Sequence, residues 1–299
     1  MNYRYQLLLA LFFFHVQAQQ SYIDYVSPFH PIESTSGMVV SQNELSSQLG
    51  TEILNKGGNA VDAAVAVGFS LAITLPRAGN LGGGGFMLVF IKEKQEIYYI
   101  DYRSSSPLNA NIKDLFNTNL PKDYKKTDFD KSRFGYKASA IPGTVAGLLE
   151  AHRNFGKLSL KEILEPVIKQ ASEGIKVSYD LNKAIESTPQ LFNDPESRKI
   201  YFDNGKPLVR NSLMKRPDLA KTLSRISTNG HKGFYEGPTA KKIVDAMNAN
   251  NGFMTLEDFK NYKVNSGSPI SILYRDNVVF TAGPPSGGGV VLLTALKIL

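Results

Sequence analysis

The chain has 299 residues, 42% of them apolar and 20% charged, with a formal net charge of +7. That is the balance of a globular protein with material for a sizeable core in one large domain or two ordinary ones. Cysteine is absent and the four histidines, His15, His30, His152 and His231, lack metal-pair spacing, which excludes disulfides and thiolate metal sites and leaves no metal or other cofactor expected.

Arg4 precedes an apolar run, Leu7 to Val16, that only His15 interrupts and that is too short to span a bilayer. With Val16-Gln17-Ala18 as a small-residue cleavage site, residues 1–18 read as a secretory signal peptide or, alternatively, as an N-terminal core helix. The signal reading makes the protein secreted, with a mature start near Gln19 and no membrane attachment once the signal is removed. The lack of cysteine suits a periplasm. Residues 19–36 read as an N-terminal extension and residues 37–299 as the body of the protein.

Ser41 followed by Glu44 forms a capping box that predicts a helix of about four turns, stopped at Gly57-Gly58. Asn59 then caps a second helix over "AVDAAVAVGFSLAITL", ended by Pro76, with Asp62 as its one charge. Apolar character all round predicts that this helix is buried on most sides. Past Gly82 to Gly85, "GFMLVFIK" and "QEIYYIDYR" read as two strands of a hairpin turning at Glu93-Lys94. Residues 104–137 read as a long polar surface excursion. Its densest part interleaves Lys125, Lys126, Lys131 and Arg133 with Asp123, Asp128 and Asp130. Basic residues in that mixture form no stripe, so no nucleic-acid partner is expected.

"AIPGTVAGLLEAHRNFG" restarts the helical pattern, with Pro142 in its first turn and Gly156 as its stop. "SLKEILEPVIKQASEG" follows, and Pro166 either kinks that helix or begins its second half. Helices are predicted over Pro217–Ser227, Thr239–Asn250 and Thr255–Tyr262, and a strand pair over "PISILY" and "NVVFTAG" around Arg275-Asp276-Asn277. "SGGGVVLLTALKIL" opens a last helix, and its apolar run up to Leu299 reads as cut rather than finished. The mixture of elements predicts an α+β fold.

Four consecutive glycines raise the question of a phosphate cradle. That cradle needs a glycine loop between a strand and a helix N-terminus. Here the order is helix, loop, strand, and no Gly-Lys-Ser/Thr follows. The glycines instead predict that the start of the strand presses against another backbone.

"GGNAVDAAVAVGFSLAITLPRAGNLGGGGFMLVF" resembles the signature of the gamma-glutamyltransferases, also called glutathione hydrolases, in their bacterial form. The resemblance continues in order through "DYRSSSP" (101–107), "AIPGTVAGL" (140–148), "GFYEG" (233–237), "NGFMTLEDFKNYKV" (251–264) and "PPSGGG" (284–289). It implies the N-terminal nucleophile hydrolase fold, an αββα sandwich, here incomplete. It also implies a precursor that cuts itself into a large and a small chain. The new N-terminal threonine of the small chain is the nucleophile, its own amine the base, and a gamma-glutamyl-enzyme is passed to water or an amino acid. Oxyanion donors lie in the small chain.

No Thr-Thr-His cleavage site occurs in this sequence. The resemblance therefore makes residues 37–299 the large-subunit portion, truncated before the catalytic small subunit. No catalytic residue is expected in this chain, the nucleophile lies beyond Leu299, and the chain alone is expected to be inactive. Its implied partners are that small subunit and a small gamma-glutamyl substrate such as glutathione.

The residue this chain contributes, by resemblance, is Arg103, which stands where the family binds the substrate α-carboxylate. A guanidinium fork pairs with a carboxylate through two hydrogen bonds, and holding that end sets the distance to the gamma-carbonyl. By residue type alone, an arginine at a strand end is a surface or ion-pair residue. Asp101 reads as an orienting or packing neighbour, and Asp62 as a helix-start or buried polar contact. Ser104, Ser105 and Ser106 read as a polar turn before Pro107, with no G-x-S-x-G elbow. Gly287 stands where many relatives carry a second serine, a departure that bears on local packing. Two rivals stay open: an acylase for cephalosporin side chains or a poly-gamma-glutamate depolymerase of the same fold, and an inactive truncated product.

Overall fold

The computed structural model describes residues 33–111 and 135–299. Residues 1–18, read from the sequence as a signal peptide, lie outside them, as do most of the expected N-terminal extension and most of the expected surface excursion. The chain divides into two units, Met1–Gly37 and Met38–Leu299, and every element below belongs to the second.

Helix α1 spans Glu44–Asn55. Its cap is Asn43, whose side chain accepts from the Ser46 N–H, and this corrects the expected cap at Ser41. The Ser41 hydroxyl instead donates to the Asn43 carbonyl at 2.8 Å. The helix stops as expected, with Gly57 at a φ of 88°. Helix α2, Ala60–Thr74, opens on a complete capping box between Asn59 and Asp62. Val65, Ala66, Phe69 and Ile73 are fully buried in it.

Strands β1 (Phe86–Ile91) and β2 (Glu96–Asp101) form the expected antiparallel hairpin, with Phe86 opposite Asp101 and Ile91 opposite Glu96. On one face Val89 and Ile100 are buried; on the other, Leu88 and Phe90 stay 42% and 55% exposed.

Helix α3 runs from Thr144 to Phe155. It starts two residues after Pro142, so the proline is not in its first turn. The Gly143 and Thr144 N–H groups both donate to the Gly83 carbonyl, at 2.7 and 3.0 Å, which anchors the helix start on the glycine loop. Helix α4, Leu160–Glu173, carries Pro166 within one continuous helix, capped by a Ser159–Glu162 box.

The stretch that follows is built of short pieces: β3 (Ile175–Lys176), α5 (Tyr179–Glu186), α6 (Gln190–Asn193), α7 (Pro195–Tyr201), β4 (Phe202–Asp203), β5 (Lys206–Pro207) and β6 (Leu213–Met214). Then come α8 (Pro217–Asn229), α9 (Lys232–Tyr235), α10 (Gly237–Ala249) and α11 (Leu256–Asn261). Strand β7, Asn265–Gly267, pairs antiparallel with β2 and completes a three-stranded sheet in the order β1-β2-β7. Strands β8 (Ile270–Tyr274) and β9 (Asn277–Thr281) make a separate hairpin. Its turn is Arg275-Asp276, both with positive φ, which is what a two-residue turn of matching twist requires. Helix α12, Gly287–Ile298, is capped by Ser286.

The core lies between the helices and the sheet. Helix α2 packs against α1, α3 and α4, α4 against α8, and α3 against β2. Among the described residues no helix is long and apolar enough to cross a membrane.

Candidate substrate-binding site

Arg103 lies two residues beyond β2, and its backbone is held from several sides. Its N–H donates to Asp101 Oδ1 at 2.9 Å, and its carbonyl accepts from the Tyr262 hydroxyl at 2.9 Å. One residue earlier, Tyr102 N–H donates to the Gly85 carbonyl at 3.0 Å and Gly85 N–H returns a bond at 3.3 Å. Two residues later, Ser105 and Ile141 form an antiparallel bridge with bonds of 3.2 and 2.8 Å. Further on, Leu108 N–H donates to Asp258 Oδ1 at 2.8 Å.

The glycines are what let these segments meet. A Cβ on Gly84 would collide with the backbone of Tyr102 and Ser104, and one on Gly143 or Gly147 would collide with Tyr102. The expected tight approach is thus present, and the backbone approached is the one that carries Arg103.

The aromatic side of the site is equally fixed. Tyr262 is 8% exposed and stacks on Tyr235 with centroids 5.7 Å apart and planes 5° off parallel. The Tyr235 hydroxyl donates to the Pro142 carbonyl at 2.8 Å and accepts from Ala146 N–H at 3.2 Å. Burial, with the Asp101 carboxylate and Tyr102 adding to it, pushes the Tyr262 phenol up to about 12, and burial also raises Tyr102 and Tyr235. All three phenols stay protonated at neutral pH.

Against this rigid frame the Arg103 residue is exposed. Among the described residues its guanidinium has no hydrogen-bond or ion-pair partner. An unpaired cation on a clamped backbone can receive an anionic group without first breaking an internal contact.

The other residues read from the sequence fall into structural places. Asp101 is 8% exposed, with Oδ1 on the Arg103 N–H. Asp62 is fully buried and accepts from Asn59, Lys157 and Leu158 N–H groups. Ser104 to Ser106 do not form the expected turn, because Ser105 is drawn into the antiparallel bridge with Ile141 and the turn follows Pro107, at residues 108–109; among the described residues the Ser106 hydroxyl reaches the Pro107 carbonyl, at 3.4 Å. His152 Nε2 lies 2.8 Å from the Leu158 carbonyl, His231 stacks on Tyr235, and His15 and His30 lie outside the described residues. A Cβ at Gly287 would meet nothing within 4 Å, so glycine in that place leaves the local packing undisturbed.

Sequence reasoning gave Tyr262 and Tyr235 no role and read Asp258 only as a first-turn acidic residue of the helix that Thr255 caps, as the structure has it. All three lie inside the quoted motifs, but their partners are 159, 93 and 150 residues away, and no local pattern marks such pairs.

The family model described as gamma-glutamyltranspeptidase matches residues 46–299. The chain belongs to the gamma-glutamyltranspeptidase family. It is 40% identical over 273 residues to the glutathione hydrolase proenzyme of Escherichia coli (strain K12), a match that covers 91% of this chain and 46% of that protein. The chain thus spans about half the length of the curated relatives it matches. Among solved structures it superposes on the Helicobacter pylori gamma-glutamyltranspeptidase with a TM-score of 0.83 and 35% identity, covering 90% of this chain and 76% of that one. It also superposes on a cephalosporin acylase from Bacillus halodurans with a TM-score of 0.79 and 25% identity, covering 93% of this chain and 52% of that one. The fold is accordingly the α+β N-terminal nucleophile hydrolase fold of the gamma-glutamyltranspeptidase family, present here in part.

Proposed function

We propose that this chain is the large-subunit portion of an enzyme that hydrolyses and transfers the gamma-glutamyl group of glutathione and related amides. Arg103 holds the substrate α-carboxylate. The nucleophilic threonine comes from a small subunit of the same precursor, which is not contained in this chain, so the chain alone does not turn over. The protein is secreted to the periplasm after loss of residues 1–18.

The observation that supports this reading is the exposed Arg103 guanidinium, without a partner among the described residues, on a backbone tied at both its N–H and its carbonyl. A fork held in that way binds a carboxylate at a fixed distance from the amide to be cut.

In the full-length processed protein, Arg103→Ala is expected to raise KM for a gamma-glutamyl anilide by about tenfold or more, the worth of a charge-assisted hydrogen bond, with a much smaller change in kcat. Steady-state kinetics measures it, and an unchanged KM removes Arg103 from the site. The likeness to the cephalosporin acylase of Bacillus halodurans favours a second reading, an acylase that cuts the side-chain amide of cephalosporins. An enzyme faster on such an amide than on the gamma-glutamyl one supports that alternative. N-terminal sequencing of the secreted protein tests the cleavage after residue 18.

A further inference from the structure

We propose that Tyr262 is the positioning residue for Arg103: its hydroxyl, by holding the Arg103 carbonyl, orients the guanidinium for the substrate α-carboxylate. The inference rests on the reading of Arg103 given above and adds a residue to it.

Among the described residues the Tyr262 hydroxyl has one hydrogen-bond partner, and that partner is Arg103. Its hydroxyl donates to the Arg103 carbonyl at 2.9 Å, while Asp101 takes the N–H of the same residue at 2.9 Å. Together these bonds fix the peptide groups on both sides of the Arg103 Cα, and so the direction in which its side chain leaves the backbone. A long side chain that starts from a fixed Cα–Cβ direction loses less freedom when it binds.

Tyr262 can do this only because it is itself immobile. Its ring is stacked on Tyr235, and the Tyr235 hydroxyl is tied on both sides to the start of α3. Gly143 leaves room for the Tyr262 hydroxyl, since a Cβ there would collide with it. The phenol, pushed up to about 12, remains a donor at any pH used for an assay. The exposed Arg103 side chain has no partner of its own among the described residues. Its orientation therefore comes from the backbone, and the backbone's carbonyl anchor is Tyr262.

The test uses the full-length processed protein and Tyr262→Phe, which removes the hydroxyl and keeps the ring. Two substrates are compared: a gamma-glutamyl anilide and a 4-aminobutanoyl anilide, which is the same acyl group without its α-carboxylate. Tyr262→Phe is expected to raise KM for the first by about three- to tenfold, the worth of one neutral hydrogen bond, with kcat nearly unchanged. Its kcat/KM for the second is expected to match the parent protein. In an Arg103→Ala background, Tyr262→Phe is expected to add nothing. A parallel loss on both substrates would make Tyr262 a general structural tie and overturn the proposal. So would an unchanged KM for the gamma-glutamyl anilide while Arg103→Ala raises it. If Arg103→Ala itself leaves that KM unchanged, the underlying reading of Arg103 falls, and this inference with it.

Discussion

At Gly84 a methyl group would land on the Ser104 amide and the Tyr102 carbonyl, and backbone atoms cannot swing aside as a side-chain tip can. Gly84→Ala is therefore expected to cost about 1–3 kcal/mol of stability, the usual range for overpacking, as measured by chemical denaturation. Because the displaced backbone carries Arg103, the same substitution in the full-length protein is expected to raise KM for a gamma-glutamyl substrate. Gly287→Ala is the control. It adds the same methyl in open space, at the first residue of α12, and is expected to change stability by less than about 0.5 kcal/mol, as surface changes do. At this scale the sequence carried half of the information. Four glycines between a helix and a strand announced a close approach, because only a missing Cβ permits one. Which backbone came close was not visible, because the partner lies beyond the hairpin.

Among the elements, α2 and the entry to α4 are joined by one buried carboxylate. Asp62 accepts from Asn59 N–H at 2.9 Å within its own capping box, and from Lys157 N–H at 3.0 Å and Leu158 N–H at 3.3 Å just before α4. Asp62→Ala takes the acceptor from those part-buried donors and is expected to lower stability by about 1–3 kcal/mol in all. Asp62→Asn keeps one oxygen and is expected to retain more of it, a difference that thermal melts of the two variants measure. The long helices were legible because their signals are local: Asn59 as a cap, Gly57 and Gly156 as stops, and the apolar run of α2. Ser41 misled because Asn43, two residues on, competes for the same role and sits at the helix start. Pro142 misled because the donors of the first turn of α3 are satisfied by Gly83, so the helix begins where that contact allows. The stretch from β3 to β6 was not legible at all. Its helices have four to eight residues, too few for a periodic pattern to emerge, and Ile175 pairs with Met214 across a long gap.

At the scale of the whole molecule, one face of β1 carries the buried Val89. Leu88 and Phe90, two residues apart on β1, stay exposed on the other, and an apolar surface of this kind binds hydrophobic dyes. The chain is expected to enhance the fluorescence of such a dye. A Leu88→Thr, Phe90→Thr double variant is expected to reduce that signal without lowering the melting temperature, since neither side chain belongs to the core. An unchanged signal would mean that the dye binds elsewhere. The tie between Tyr262 and Arg103 spans 159 residues, and a ribosome makes its product from one end. At roughly 5–20 residues per second, roughly 8–30 seconds separate the synthesis of the arginine from that of its anchor. Throughout that interval the nascent polypeptide carries Arg103 without the bond that aims it. A message broken off between codons 109 and 257 therefore yields a product that has the arginine but lacks both distal anchors of its segment, Asp258 and Tyr262.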